Sequence, residues 1–106
     1  MIITTADDIR GKDITQSLGL VRGNTIRARH VGKDIMAGLR TLVGGEIEEY
    51  TKLLAESREQ ALDRMEAEAK RMGADAVVGV RFSTSVVMGG AAELLAYGTA
   101  VKFADS

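Results

Sequence analysis

Gly73-Ala74-Asp75-Ala76-Val77-Val78-Gly79-Val80-Arg81-Phe82 decides how the chain is read. A charged, periodic segment stops at Gly73, and an apolar, valine-rich stretch begins three residues later. Glycine suits the left-handed backbone position that ends many helices, because it has no side chain to clash there. Period-two alternation over 76–82 then predicts a strand with Ala76, Val78, Val80 and Phe82 on one face and Val77, Gly79 and Arg81 on the other. Gly79 reads as a point of close packing in that strand. The stretch holds no evident nucleophile or acid–base pair, so it speaks for a fold more than for an activity.

Upstream, Ile47, Tyr50, Leu54, Ala61, Met65, Ala69 and Met72 recur at three-, four- or seven-residue steps, predicting one amphipathic helix from about Glu46 to Met72. Glu46, Glu48 and Glu49 suit its positive amino end, and Lys70 and Arg71 suit its negative carboxyl end. A shorter helix is predicted over Lys33–Val43, where Ile35, Met36, Leu39, Leu42 and Val43 form an apolar stripe. Before it, Ile14–Ala28 reads as a hairpin that turns at Gly23-Asn24 and sets Leu18, Leu20 and Ile26 on one face. After the long helix, Leu94–Phe103 forms a second strand, whose small Ala96, Gly98 and Ala100 leave room for a helix or another subunit. The expected fold class is α+β: one domain, 1–106, with a small antiparallel or mixed sheet, one short helix and one long one.

The 106 residues are 45% hydrophobic and 27% charged, which is the composition of a soluble globule. With no cysteine, disulfides, thiolate metal sites and redox pairs are excluded. No run approaches the ~20 apolar residues of a membrane span, and the amino terminus lacks a basic, then apolar leader pattern. A cytoplasmic protein without a membrane partner is expected. The net charge of −1 conceals a division: residues 20–44 carry Arg22, Arg27, Arg29, Lys33 and Arg40 against Asp34, whereas 45–72 carry eight acidic and five basic side chains. Beside the ordinary reading of mixed surface charge, this pattern fits a basic face for a small anionic ligand, or complementary faces for self-association. The acidic total and the lack of aromatics among the basic residues argue against nucleic acid.

Constellations for catalysis are missing from the sequence pattern. Gly11-Lys12-Asp13 and Gly32-Lys33-Asp34 lack the earlier glycine and the Ser/Thr of a phosphate loop and read as turns. Asp7-Asp8 and Glu48-Glu49 are adjacent carboxylates without a partner to tune them, and Ser83-Thr84-Ser85 reads as a polar strand exit.

Three blocks nevertheless resemble one family. Asp34-Ile-Met-Ala-Gly-Leu-Arg-Thr-Leu-Val-Gly-Gly45, the Gly73–Phe82 run and Ala96-Tyr-Gly-Thr-Ala-Val-Lys-Phe103 together, in this order around a long helix, resemble the YbjQ, or UPF0145, family over almost the whole chain. The resemblance implies a small α+β subunit, a homopentamer whose strands build a barrel-like ring, and the family's label as a heavy-metal-binding domain. The best local metal pair is His30 with Asp34, an imidazole and a carboxylate four residues apart. Two ligands do not close a site, although a symmetric ring can repeat them; the ordinary reading is a solvated or hydrogen-bonded His near a helix start. Met36, Met65, Met72 and Met88 suggest a soft-metal box, but the first three fall in helical patterns that suit core packing better. The sequence thus points to a non-enzymatic homo-oligomeric domain that binds a metal ion or small ligand through its assembly. The alternative is a structural or protein-interaction module with no small-molecule site. No particular cofactor is indicated.

Overall fold

The computed structural model describes residues 1–27, 47–86 and 92–104. Within them the chain runs β1 (Ile2–Ile3), β2 (Ile14–Arg27), α1 (Ile47–Arg71), β3 (Ala76–Val86) and β4 (Ala92–Phe103). The strands form one mixed sheet of order β1-β3-β4-β2, with β1 parallel to β3 and both other pairings antiparallel. The α+β expectation holds. The short helix expected over Lys33–Val43 lies outside the described residues.

Gly73 ends α1 as expected, with a φ of 80°. Its N–H donates to the Lys70 carbonyl and the N–H of Ala74 donates to that of Ala69, the paired bonds of a Schellman motif. Asp75 then ties the chain into the sheet: its N–H donates to the Val101 carbonyl, and its Oδ2 accepts from the Phe103 N–H at 2.8 Å. One turn thus stops the helix and fixes the register of the strand that follows.

Two predictions within the sheet are corrected. Gly23-Asn24 is no turn; β2 is a single strand of 14 residues, in which Gly23 and Asn24 pair with Ala96 and Leu95 of β4. Leu18, Leu20 and Ile26 do not share a face. A register shift between Ser17 and Gly19 breaks the alternation, so Leu18 packs on the helix-side core while Leu20 and Ile26 are exposed on the other side. Beyond the shift the pattern is strict, and Val21, Gly23 and Thr25 are buried beneath α1.

The second correction concerns β3. Val78 pairs with Thr99 and Arg81 with Tyr97, so Gly79 and Val80 together oppose the single residue Gly98. This is a β-bulge with glycine in the left-handed region, φ 62°. The extra residue reverses the alternation. Val80 therefore joins Val77 in the helix-side core with Val21, Ala61, Met65, Ala69, Ala96 and Ala100, while Ala76 and Val78 pack on the opposite face with Val101, Ile9, Ile14 and Phe103.

Gly79 is consequently a conformational requirement rather than a packing one. A Cβ there would meet nothing nearer than Asp7 Oδ1, 3.9 Å away. Replacing Gly79 by Ala is expected to lose about 1 kcal/mol of unfolding free energy from backbone strain alone, Asn less and Val more. Urea denaturation of the three variants checks the ranking; equal losses would show that the backbone, not the side chain, had moved.

The amino-terminal segment lies against this bulge. The N–H groups of Gly79 and Val80 donate to the carbonyls of Ala6 and Thr4, and Thr4 N–H donates to the Val77 carbonyl. Amides that the bulge removes from the β4 ladder are thereby satisfied.

Candidate functional site

The two faces of the sheet are treated differently. The helix side is closed by α1, which buries Ser57, Ala61, Met65 and Ala69 against β2 and β4. On the other side, Ile9, Ile14 and Phe103 cover only the half around Ala76, Val78 and Val101. The remaining half carries Leu20 and Ile26, 59% and 63% exposed, with the half-buried Leu95 and Tyr97 between the outer strands.

Register sets a row of three side chains across this open half. Arg22 on β2 pairs with Tyr97 on β4, and Tyr97 pairs with Arg81 on β3. Directly opposed residues share a face, so both exposed guanidiniums flank the phenol. Arg81 is held by its Nη1, which donates to the Thr5 and Val80 carbonyls at 2.9 and 2.8 Å. Arg22 has no hydrogen-bond or ion-pair partner among the described residues. Glu93 shares the face, and its Oε2 accepts from Asn24 Nδ2 at 3.0 Å. Among the described residues, β2 has no strand on its outer edge, and on the far edge β1 and the Thr4–Ala6 segment after it reach only as far as Val80 of β3.

The outward ridge of α1 is acidic. Glu56, Glu59 and Asp63 follow at steps of three and four, all exposed, on the side away from Ser57, Ala61 and Met65. Beyond them Lys70 pairs with Glu66 at 3.9 Å, and Arg64 reaches back over the sheet to the Asn24 carbonyl.

Of the sequence-predicted site residues, His30 and Asp34 lie outside the described residues, as do Arg29, Lys33 and Arg40. Among the described residues no three His, Cys, Asp or Glu side chains come together as a metal-binding group. The one-chain donor set described here therefore does not fit a heavy-metal centre, which calls for three or four ligands. Met65 is fully buried in the core, as its helical spacing implied. Gly11-Lys12-Asp13 is a turn, closed by Lys12 N–H to the Ile9 carbonyl, with Lys12 Nζ 5.5 Å above the Phe103 ring centre. Ser83, Thr84 and Ser85 belong to β3 itself rather than to its exit. Sequence reading missed Arg81 as a companion of Arg22, because their proximity depends on strand register and not on spacing along the chain.

No described helix is long and apolar enough to cross a membrane. Residues 1–104 match a family model described as "Putative heavy-metal-binding". The chain is 66% identical over 102 residues to a UPF0145 protein of Methanosarcina acetivorans, covering 96% of each. It is 62% identical to one of Archaeoglobus fulgidus (96% of this chain, 94% of the relative) and 57% identical to one of Thermosipho africanus (100% and 98%). A crystal structure of a DUF74-family protein of unknown function from Pediococcus pentosaceus superposes with a TM-score of 0.65 over 97% of both chains, at 17% identity, and shares the fold. Three sequence blocks, a bulged mixed sheet closed on one side by a long helix, and relatives matched over nearly their full length lead to one assignment: the chain belongs to the YbjQ, or UPF0145, family.

Proposed function

We propose that the chain is a non-enzymatic, cytoplasmic subunit of a homo-oligomeric ring, with five copies as the family resemblance implies, that binds a metal ion or small ligand through the assembly. The observation that carries this reading is the half-open sheet, with exposed Leu20 and Ile26 beside strand edges that no described strand pairs. Exposed apolar sheet and open edges are features that soluble proteins cover, and a closed ring of copies covers them at every subunit.

Donors from more than one copy are what a metal ion would need. A ring presents each donor several times around its axis, so one imidazole and one carboxylate per chain become a full coordination set when repeated. The second reading, an interaction module without a small-molecule site, is favoured by the character of the open face itself, which is broad, partly apolar and flanked by arginines.

Light scattering at micromolar concentration is expected to give a single oligomer, and a monodisperse monomer would end the ring reading. Native mass spectrometry of protein purified without added metal separates the two functions. A stoichiometric bound mass, or stabilisation by one member of a panel of divalent metals and small anions, is expected for ligand binding. An empty oligomer indifferent to the whole panel leaves the interaction module.

A further inference from the structure

The oligomeric reading leaves open which surfaces meet, and the charge layout supplies an answer that rests on that reading. We infer that the acidic ridge of α1 in one copy docks on the Arg22–Tyr97–Arg81 row of the next. The two surfaces lie on opposite sides of the same subunit, so the contact is head-to-tail and can propagate around a ring.

Spacing agrees. Arg22 and Arg81 stand two strand gaps apart, about 10 Å at ~4.8 Å per gap. Glu56 and Asp63 stand seven residues apart on the helix, about 10.5 Å at 1.5 Å per residue. One carboxylate can therefore meet each guanidinium while Glu59, between them, faces the Tyr97 hydroxyl, a donor at the midpoint of the row.

The charges are also unspent. Arg22, Glu56, Glu59 and Asp63 have no ion pair or hydrogen bond among the described residues. Glu93 on the sheet face already accepts from Asn24. Farther along the ridge, Lys70 is paired with Glu66. Exposed Leu20 lies beside the row and supplies the apolar area that charge pairing alone lacks. Complementary charge of this kind steers association and rejects wrong orientations.

Charge reversal on each side, followed by their combination in one chain, tests the contact. Arg22 is the residue to change on the sheet, since Arg81 also holds Thr5 and Val80 within its own subunit. Arg22→Glu, and separately Glu59→Arg with Asp63→Arg, are each expected to weaken assembly at least tenfold by sedimentation, with native far-UV circular dichroism. The triple variant, in which Arg22→Glu opposes Asp63→Arg while Glu56 still opposes Arg81, is expected to recover most of it. Arg22→Gln, a milder change, is expected to weaken assembly by a smaller factor and replaces Arg22→Glu if that variant does not fold. An oligomer that survives both single-sided changes, or a triple variant that stays dissociated, overturns the proposed contact while the ring reading stands. A wild-type protein that is itself monomeric overturns both.

Discussion

Gly23→Ala is expected to be among the most destabilising single substitutions in the chain, costing about 3 kcal/mol or more. Gly23 lies directly beneath α1. A Cβ on it would overlap the Ala61 carbonyl oxygen and the Met65 amide nitrogen, and would sit 2.7 Å from Arg64 Cβ. Two of these are backbone atoms, which no rotamer change can move, so the helix itself must lift. That lift would loosen Ala61, Met65 and Ala69, the buried face of α1, from Val21 and Ala96. Guanidinium denaturation would show a lower midpoint, and a loss below about 1 kcal/mol would show that the helix can shift freely.

Gly98→Asp is expected to be comparably severe for a different reason. A Cβ at Gly98 would stand 2.8 Å from Val77 Cγ1, 2.9 Å from the Val78 carbonyl oxygen and 3.1 Å from Val80 Cγ2. The bulge creates this crowding, since it turns both Val77 and Val80 toward the residue opposite it. A carboxylate would be overpacked and also buried, with valine atoms and a carbonyl oxygen as its nearest neighbours, which costs several kcal/mol. Gly98→Ala isolates the steric part and is expected to lose about 1–3 kcal/mol. Thermal melts of both variants check the order, and an Asp variant as stable as the Ala variant would mean that the site opens to water. Because the crowding comes from the chain's own β3, the effect appears in folding first and in assembly only as its consequence.

Helix and strands were legible where local chemistry decides them. The stripe from Ile47 onward and the glycine stop at Gly73 depend only on neighbours within a turn, and the described helix, Ile47–Arg71, ends within a residue of the expected Met72. The bulge at Gly79 and the uninterrupted β2 were not legible, because each is settled across strands. Gly23 is small on account of a helix about 40 residues later in the chain, yet in the sequence alone Gly23-Asn24 has the same letters as a turn. Val80 faces the helix because Gly79 adds a residue to the ladder, and simple alternation puts it on the wrong side. The open face followed partly from composition: the split between a basic stretch and an acidic helix was visible, but the row that sets Arg22 beside Arg81 required the pairing of both with Tyr97.

The bonds from Thr4 and Ala6 to the bulge also bear on the order of folding. These residues are synthesised before their partners at Val77–Val80, which follow more than seventy residues later. The chain's opening must wait, unpaired, while β2, α1 and the start of β3 are made. Closing so long a loop is entropically slow, so the amino-terminal strand is the last described piece of the edge to settle. Until it does, the amides of Gly79 and Val80 stand exposed on an unfinished strand, and the newborn chain is most open to a wrong partner at the place where Thr4 and Ala6 belong.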